Sequence, residues 1–167
     1  MTDPSQIEAR ATAFGRVFVL TQHLTRLTDA VLVDWGLTTR QWLLLAILSR
    51  SFAGRSPSLS EAAEVYGSSR QNIKQIALGL EARGYLRLVP DPEDGRSTRL
   101  ERTGKERVFD EPEGQARGIA LLARAFEGLD REATLEIRDL LVRWVDGLTD
   151  SLGVGTQAGM EVRHGNA

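Results

Sequence analysis

The sequence predicts a mainly α-helical protein that carries one small β-hairpin. Ser or Thr helix caps recur along the chain, and apolar residues at helical spacing follow them. One stretch differs, because apolar and polar residues alternate on both sides of a segment dense in Pro, Asp and Gly. With 167 residues, the chain has room for one domain with helical extensions.

The first predicted helix covers residues 5–34, where apolar side chains recur at helical spacing. Gly36 is expected to end this helix, because glycine adopts the left-handed conformation at little cost. Thr38 and Gln41 then form a capping box, in which each side chain bonds the backbone N–H of the other residue. The next helix is apolar on nearly all sides over residues 42–48, so we expect it in the centre of the core.

Three further capping boxes are predicted at residues 58–61, 68–71 and 103–106. The first box starts a short helix that ends before Gly67. The second starts a helix that reaches Arg83, and its core face is expected to hold Ile73, Ile76, Ala77 and Leu80 at helical spacing. Each Ser or Thr cap stabilises its helix by about 1 kcal/mol. The boxes therefore locate the helix starts better than hydrophobic periodicity alone.

A β-hairpin is predicted directly after the second of these helices. Residues 85–89 and residues 97–101 alternate between apolar and polar side chains, as strands do. Residues 90–95 between them are dense in turn-forming Pro, Asp and Gly.

The pattern is helical again from residue 103, and Pro112 and Gly114 are expected to break or kink that helix. The helical pattern is interrupted at residues 129–130, and a last helix follows. The first and last helices carry apolar rows wider than the compact middle of the chain can cover, which predicts a homodimer. The alternative is a larger single-chain helical core. Residues 153–167 are Gly-rich and without pattern, and we expect them to be disordered.

The composition argues against several classes of function. Without cysteine, the chain can form no disulfide, thiolate zinc site or cysteine nucleophile. His23 and His164 are far apart in sequence, so we expect no metal site and no cofactor. The sequence shows neither a nucleophile elbow nor a phosphate-binding glycine loop, which argues against an enzyme. The lack of a secretory signal and of a run of about 20 apolar residues predicts a cytoplasmic protein with no membrane partner.

Charge is unevenly distributed along the chain. The net charge is −2, yet residues 66–107 hold nine basic and six acidic residues, which leaves −5 for the remainder. A basic segment within an acidic scaffold suits local contact with the phosphates of double-stranded DNA.

Two short helices joined at Gly67 and followed by a hairpin predict a winged helix-turn-helix flanked by N- and C-terminal dimerisation helices. The second helix of such a fold enters the major groove, where Arg suits guanine, Gln suits adenine, and Lys and Ser suit phosphates or base acceptors. The residues predicted to contact DNA are Ser68, Ser69, Arg70, Gln71, Lys74 and Gln75 on this helix and Arg87, Asp94, Arg96 and Arg99 on the hairpin.

The tip of the hairpin is predicted to reach the neighbouring minor groove, where narrow A·T stretches attract Arg96. Asp94 would hold the Arg96 guanidinium or the turn, and Arg87 and Arg99 would face phosphates. The alternative is that these charges, like those of the helix, are ordinary solvated surface groups. The absence of Glu and Asp from residues 67–80 favours DNA contact.

Three stretches of the chain resemble the MarR (multiple antibiotic resistance regulator) family. They are Leu37-Thr38 with Gln41-Trp42, Ser69-Arg70-Gln71 through Leu80-Glu81 and Gly84, and residues 91–96 leading to residues 100–105. The resemblance covers somewhat under half of the chain. It implies homodimers whose terminal helices interlock, two winged domains that read a roughly palindromic site, and release of DNA when a small, often aromatic, molecule binds.

The chain departs from the pattern of that family at four positions. Its wing usually has a basic residue where this chain has Gly95, and Leu78-Gly79 replaces a polar pair of the recognition helix. Pro112 is unusual in the helix after the wing.

The sequence therefore predicts a transcriptional regulator, expected to be a repressor. The alternative is a winged-helix protein-interaction module that no longer reads DNA, which the acidic net charge and Gly95 motivate. The expected divisions are residues 5–36 and 103–152 for dimerisation and residues 37–102 for DNA binding. An aromatic effector pocket is expected where the first two helices meet, and its candidate residues are Phe14, Phe18, His23, Trp35 and Trp42.

Overall fold

The computed structural model describes residues 3–153. Residues 154–167 lie outside the described residues. They include His164 and nearly all of the segment that we expect to be disordered. In chain order the elements are α1 (Pro4–Leu32), α2 (Thr39–Ser51), α3 (Leu59–Tyr66), α4 (Arg70–Glu81), β1 (Leu86–Pro90), β2 (Thr98–Arg102), α5 (Pro112–Ala125) and α6 (Arg131–Ser151). Two 3₁₀ segments, Val33–Trp35 and Lys105–Phe109, follow α1 and β2.

Helices α2, α3 and α4 pack together with the hairpin around one apolar core. Strand β1 pairs antiparallel with β2, with Leu88 opposite Leu100. Leu44, Leu48, Ile73 and Leu100 are fully buried at the centre of this cluster. The mainly helical fold with a two-stranded wing, predicted from the sequence, is confirmed.

Two of the four predicted capping boxes are present. The Thr38 hydroxyl accepts from the Gln41 N–H at 3.4 Å, and the Gln41 side chain accepts from the Thr38 N–H at 3.1 Å. Ser58 and Glu61 make the same reciprocal pair at 3.2 and 2.7 Å. Gly36 ends the N-terminal helical segment in the left-handed conformation, with φ 64°. The starts of α2 and α3 are therefore those that the sequence predicts.

The other two predicted boxes are not formed. Helix α4 is capped by Ser69, which accepts from the Asn72 N–H at 3.2 Å, while the Asn72 amide donates to the Ser68 hydroxyl. The Thr103 hydroxyl instead donates to the carbonyl of Gly84 at 2.8 Å, and the 3₁₀ segment that follows has no side-chain cap.

Pro112 does not lie inside a long helix. It is in the first turn of α5, where its missing N–H costs no hydrogen bond and its fixed φ favours a helix start. Gly114 is buried against the backbone of Val108 and Phe109, and a side chain there would overlap them. The predicted break is confirmed, but the two residues have different structural roles.

An aromatic cluster joins the winged helix to α1 and α5. The Trp35 ring packs edge-on against Phe109, with ring centroids 5.1 Å apart, and Phe109 stacks on Tyr85 at 6.5 Å. The Arg117 guanidinium covers the Trp35 ring and pairs with Asp34. This cluster fixes where the winged helix sits relative to the helices outside it.

The terminal helices expose large apolar side chains in the single chain. Helix α6 has no buried residue, and α1 has only one, Leu32. The apolar rows predicted from the sequence are therefore uncovered by the described residues, and the division into dimerisation and DNA-binding segments stays a proposal. The exposed large apolar residues of α6 are Leu140, Leu141, Val142, Trp144, Val145 and Leu148.

The helices of residues 3–153 differ in length and hydrophobicity. No single helix there is long and apolar enough to cross a membrane. The helical segments Pro4–Trp35 and Thr39–Ser51 meet at a bend of 81°. Taken together, these two segments have the length and composition of a membrane span, and nothing further in the described residues indicates one.

Candidate nucleic-acid interface

Helix α4 divides into a buried face and a polar exposed face. Ile73, Ile76, Ala77 and Leu80 are buried, at the spacing predicted from the sequence. Every predicted contact residue on the helix is exposed except Ser68, which is half-buried: the exposed ones are Ser69, Arg70, Gln71, Lys74 and Gln75. The structure therefore gathers these side chains on one continuous surface.

A close approach to α2 positions the middle of α4. A Cβ at Gly79 would lie 2.5 Å from the amide nitrogen of Gln41, so the absence of a side chain lets the two helices pack tightly. The Arg83 guanidinium donates to the carbonyls of Gly79 and Gly36 and ties the end of α4 to the end of the first helical segment. Gly79 thus has a packing role that offsets its low helix propensity.

The exposed face of α4 is positively charged and free of carboxylates. No Glu or Asp occurs in residues 67–80. Within the described residues, no acidic side chain forms an ion pair with Arg70 or Lys74. These two cations are therefore available to an external anion.

The wing tip is an ordered turn held by Asp94. Its carboxylate accepts from the Arg96 N–H and from the Ser97 hydroxyl, both at 3.1 Å. Of the two roles expected for Asp94, the structure supports holding the turn. The Arg96 side chain is exposed and forms no ion pair with the described residues. A Cβ at Gly95 would meet open space.

Arg99 lies on strand β2, as predicted, but its side chain has partners within the protein. Its Nε donates to Asp91 at 2.7 Å and its Nη1 to the Ser56 carbonyl at 2.9 Å, so the guanidinium faces the protein instead of a phosphate. The Glu93 N–H, together with Arg99, holds the pKa of Asp91 below its usual value. The sequence-based role of Arg99 is corrected: it fastens the wing to the loop before α3.

Backbone pairing strengthens the same attachment. The Leu100 N–H donates to the Pro57 carbonyl at 2.8 Å, and Ser58 forms a β-bridge with Arg99. Arg87 on the outer strand is exposed and pairs with Glu101 across the hairpin at 2.7 Å. A phosphate would have to compete with Glu101 for Arg87.

Arg40 is a candidate that the sequence-based prediction missed. It lies exposed in the first turn of α2, and its carbonyl accepts from the Tyr66 hydroxyl at 3.3 Å, next to the turn at Gly67. A cation in the first turn of a helix opposes the helix dipole, and α2 has no acidic residue there to offset it. An Arg in the first turn of a helix without an acidic neighbour was a signal in the sequence, but the hydrogen bond from Tyr66 that brings it beside Gly67 was not; we add Arg40 to the candidate phosphate contacts.

The predicted aromatic pocket is not assembled by the described residues of one chain. Phe14 and Phe18 pair with each other on α1, 60% and 59% exposed, and Phe18 lies about 20 Å along the helix from the end of α1. His23 is exposed as well, whereas Trp35 packs on Phe109 and Trp42 packs against the core. A cavity of about 270 Å³ between residues 54–56 and 101–107 is lined by polar side chains.

The capping carboxylate of α3 has a shifted pKa. Partial burial acts to raise the pKa of Glu61, but hydrogen bonds from Arg55 and Ser58 outweigh it and lower the pKa to about 2. A carboxylate with a lowered pKa stabilises the fold above its unfolded-state pKa, and this contribution is lost as pH falls through the folded-state pKa.

Glu61→Gln should therefore change how stability depends on pH. Gln keeps an oxygen for the cap but loses the charge, so wild-type protein is expected to exceed the variant in free energy of unfolding at pH 7. That difference should shrink as pH falls from 4.5 to about 2 in urea unfolding experiments. Glu64→Gln, at an exposed site on the same helix, is the control. A difference that stays constant down to pH 2 would count against the ion pair.

Residues 35–97 match the MarR family. The matched range contains α2, α3, α4 and the first half of the wing. Over these residues the chain is similar to MarR-family winged-helix proteins. The family consists of DNA-binding transcription regulators and not of enzymes, in agreement with the sequence-based prediction.

One curated protein is similar in sequence over part of its length. It is BadR of Rhodopseudomonas palustris, named a transcriptional activatory protein, which is 30% identical over 93 residues. The alignment covers 56% of this chain and 53% of BadR, so the chain spans about half the length of this relative.

Solved structures share the MarR fold. A probable transcriptional regulator from Pseudomonas aeruginosa has a TM-score of 0.66 at 23% identity, covering 77% of this chain and 92% of its own. BpsR of Bordetella bronchiseptica, described with a mechanism for regulation of its DNA binding by 6-hydroxynicotinic acid, has a TM-score of 0.66 at 22% identity, covering 79% and 91%.

Proposed function

We propose that the chain regulates transcription in the cytoplasm by binding a palindromic operator in duplex DNA as a homodimer. The observation that carries this proposal is the exposed face of α4, where unpaired cations and amides lie together without a carboxylate. In the major groove such side chains contact base edges and phosphates. The exposed Arg96 at the wing tip adds a second contact, to the minor groove.

A second copy is proposed because the apolar surfaces of α1 and α6 have no cover in the single chain. A dimer with two-fold symmetry presents two recognition helices to two half-sites. The half-sites are then expected about one helical turn apart, and the operator is expected to be palindromic.

Selection of bound duplexes from a random pool tests the proposal directly. A palindrome with half-sites about one turn apart is the expected result, with affinity that falls steeply as salt rises. Salt-sensitive binding without sequence preference, or no binding, would contradict it. If no specific duplex is recovered and a protein partner co-purifies with the chain, the protein-interaction module is favoured instead.

The direction of regulation and the effector are parts of the same proposal. The sequence-based expectation is repression, whereas BadR is named an activator, so a reporter fused to the selected operator must decide. An aromatic effector is proposed by analogy with BpsR. Release of the operator by an aromatic acid in a gel-shift titration would support this effector. Operator binding that stays unchanged for every aromatic acid tested would contradict it.

Arg96→Ala is expected to weaken operator binding about tenfold and to relax preference in the A·T flanks, because the wing loses its minor-groove cation. Fluorescence anisotropy at fixed salt measures the affinity. Arg131→Ala, at an exposed site in the first turn of α6, removes the same charge outside the winged helix and serves as the control. Equal affinities for Arg96→Ala and wild type would show that the wing does not contact DNA.

Gly95→Arg is expected to strengthen binding. The position has open space around it and its φ is not left-handed, so an Arg fits without backbone strain. Each new phosphate contact steepens the salt dependence by about 0.9 in the log–log slope, and the dimer gains two. Binding isotherms at several salt concentrations check the slope, and an unchanged slope would mean that the tip lies away from the phosphates.

A further inference from the structure

One large apolar side chain lies within the polar face of α4. Leu78 is 40% exposed and does not belong to the buried core cluster. Its neighbours at positions 77 and 80 are buried, so the helix is oriented by those residues and Leu78 is left outside. Packing within the described chain therefore does not account for a leucine here.

Leu78 lies on the exposed face of α4, one turn beyond the last predicted contact residues. On a helix, residues three and four apart are neighbours, which places Leu78 beside Lys74 and Gln75. Both neighbours are exposed, and Gly79 on the adjoining side packs against α2. Leu78 is therefore an immediate neighbour of two residues proposed to contact the duplex.

The major groove offers one apolar group to such a side chain. Base edges there present hydrogen-bond donors and acceptors, except that thymine also carries its C5-methyl. We propose that Leu78 is a specificity-determining residue that packs on the C5-methyl of a thymine in each half-site. The inference rests on the proposed function, and it adds a base preference to it.

The same contact would select against the other pyrimidine. A cytosine at this position presents an amino donor, which Leu78 would desolvate without offering an acceptor. Uracil differs from thymine only by the missing methyl and keeps the O4 acceptor. The contribution of the methyl can therefore be measured without changing any hydrogen bond.

The experiment uses the full chain and the operator recovered by selection. Each thymine of a half-site is replaced in turn by deoxyuridine, and affinities are measured for wild type and Leu78→Ala. Loss of one buried methyl contact corresponds to about a fourfold weaker affinity per half-site. Wild type is expected to show this loss at one thymine position, and Leu78→Ala is expected to bind both duplexes equally.

Lys74→Ala is the matched control on the same face. The Lys74→Ala variant should bind both the thymine and the deoxyuridine duplex more weakly than wild type. It should keep the fourfold preference for thymine, because it loses a polar contact only. Leu78 is exposed and Ala is a strong helix former, so Leu78→Ala is expected to fold, which circular dichroism checks.

Two outcomes overturn the inference while leaving the proposed function in place. One is an operator that binds tightly yet is insensitive to deoxyuridine at every thymine. The other is a Leu78→Ala protein that keeps the wild-type preference for thymine. Failure of the wild-type protein to bind any duplex specifically would overturn the proposed function and this inference together.

Discussion

Leu141→Glu combined with Val145→Glu is expected to leave a folded monomer that has lost most of its operator affinity. Leu141, Val145 and Leu148 follow one another at spacings of four and three, so they form one exposed stripe on α6. Because α6 has no buried residue in the single chain, glutamates on this stripe do not enter the core of the winged helix.

The size of the effect follows from the number of side chains that the proposed interface would bury. The double variant removes two from each protomer, four per dimer. At about 1.5 kcal/mol for each, the dimer loses about 6 kcal/mol, or about four orders of magnitude in its dissociation constant. A monomer reaches one half-site and about half of the phosphates, so operator affinity should fall at least about a hundredfold.

Sedimentation equilibrium gives the oligomeric state, and gel shift gives the affinity. Arg143→Glu is the control, because it changes the charge by the same two units on the opposite side of α6 and should leave the dimer intact. A double variant that remains dimeric would place the interface elsewhere on α1, α5 or α6.

The sequence predicted elements well where local chemistry decides them. Thr38 and Ser58 cap their helices through residues three positions later, and both boxes are present as predicted. The buried face of α4 was predicted from the spacing of four apolar residues. Such features depend on neighbours along the chain, which a sequence displays directly.

The predictions failed where a distant residue supplies the decisive partner. Thr103 does not form the predicted box: Gly104 precedes the 3₁₀ segment, and the Thr103 hydroxyl donates to the Gly84 carbonyl, 19 positions away. Arg99 turns inward to Asp91 and to the carbonyl of Ser56, and Trp35 packs on Phe109 instead of lining a pocket with Phe14. Each of these contacts requires knowing how the wing and α5 meet the rest of the chain.

The predicted contact residues show both situations. The polar face of α4 could be derived from helical periodicity and is exposed as expected. Arg40 could not be assigned to that surface from sequence, because only the hydrogen bond from Tyr66 brings the start of α2 beside the turn before α4. Whether these residues contact DNA stays a prediction that the selection experiment tests.

Gly114→Ala is expected to destabilise the protein by about 2 kcal/mol or more, although alanine normally favours a helix over glycine. A methyl at position 114 would overlap the Val108 carbonyl and lie 2.7 Å from the Phe109 Cα. These are backbone atoms, which no change of rotamer can move aside. Relief requires shifting the 3₁₀ segment that carries Phe109, and with it the ring contacts to Trp35 and Tyr85.

Gly118→Ala in the same helix separates this contact from the effect of helix propensity. A Cβ at Gly118 meets no atom within 4 Å, so that variant is expected to gain about 0.5–1 kcal/mol. Urea unfolding at one fixed protein concentration compares the two, since dimerisation would make the midpoint depend on concentration. Opposite signs at positions 114 and 118 are the expected result. If both variants are more stable than wild type, α5 does not pack against Val108 and Phe109. The aromatic contacts described between α5 and the winged helix would then be contradicted as well.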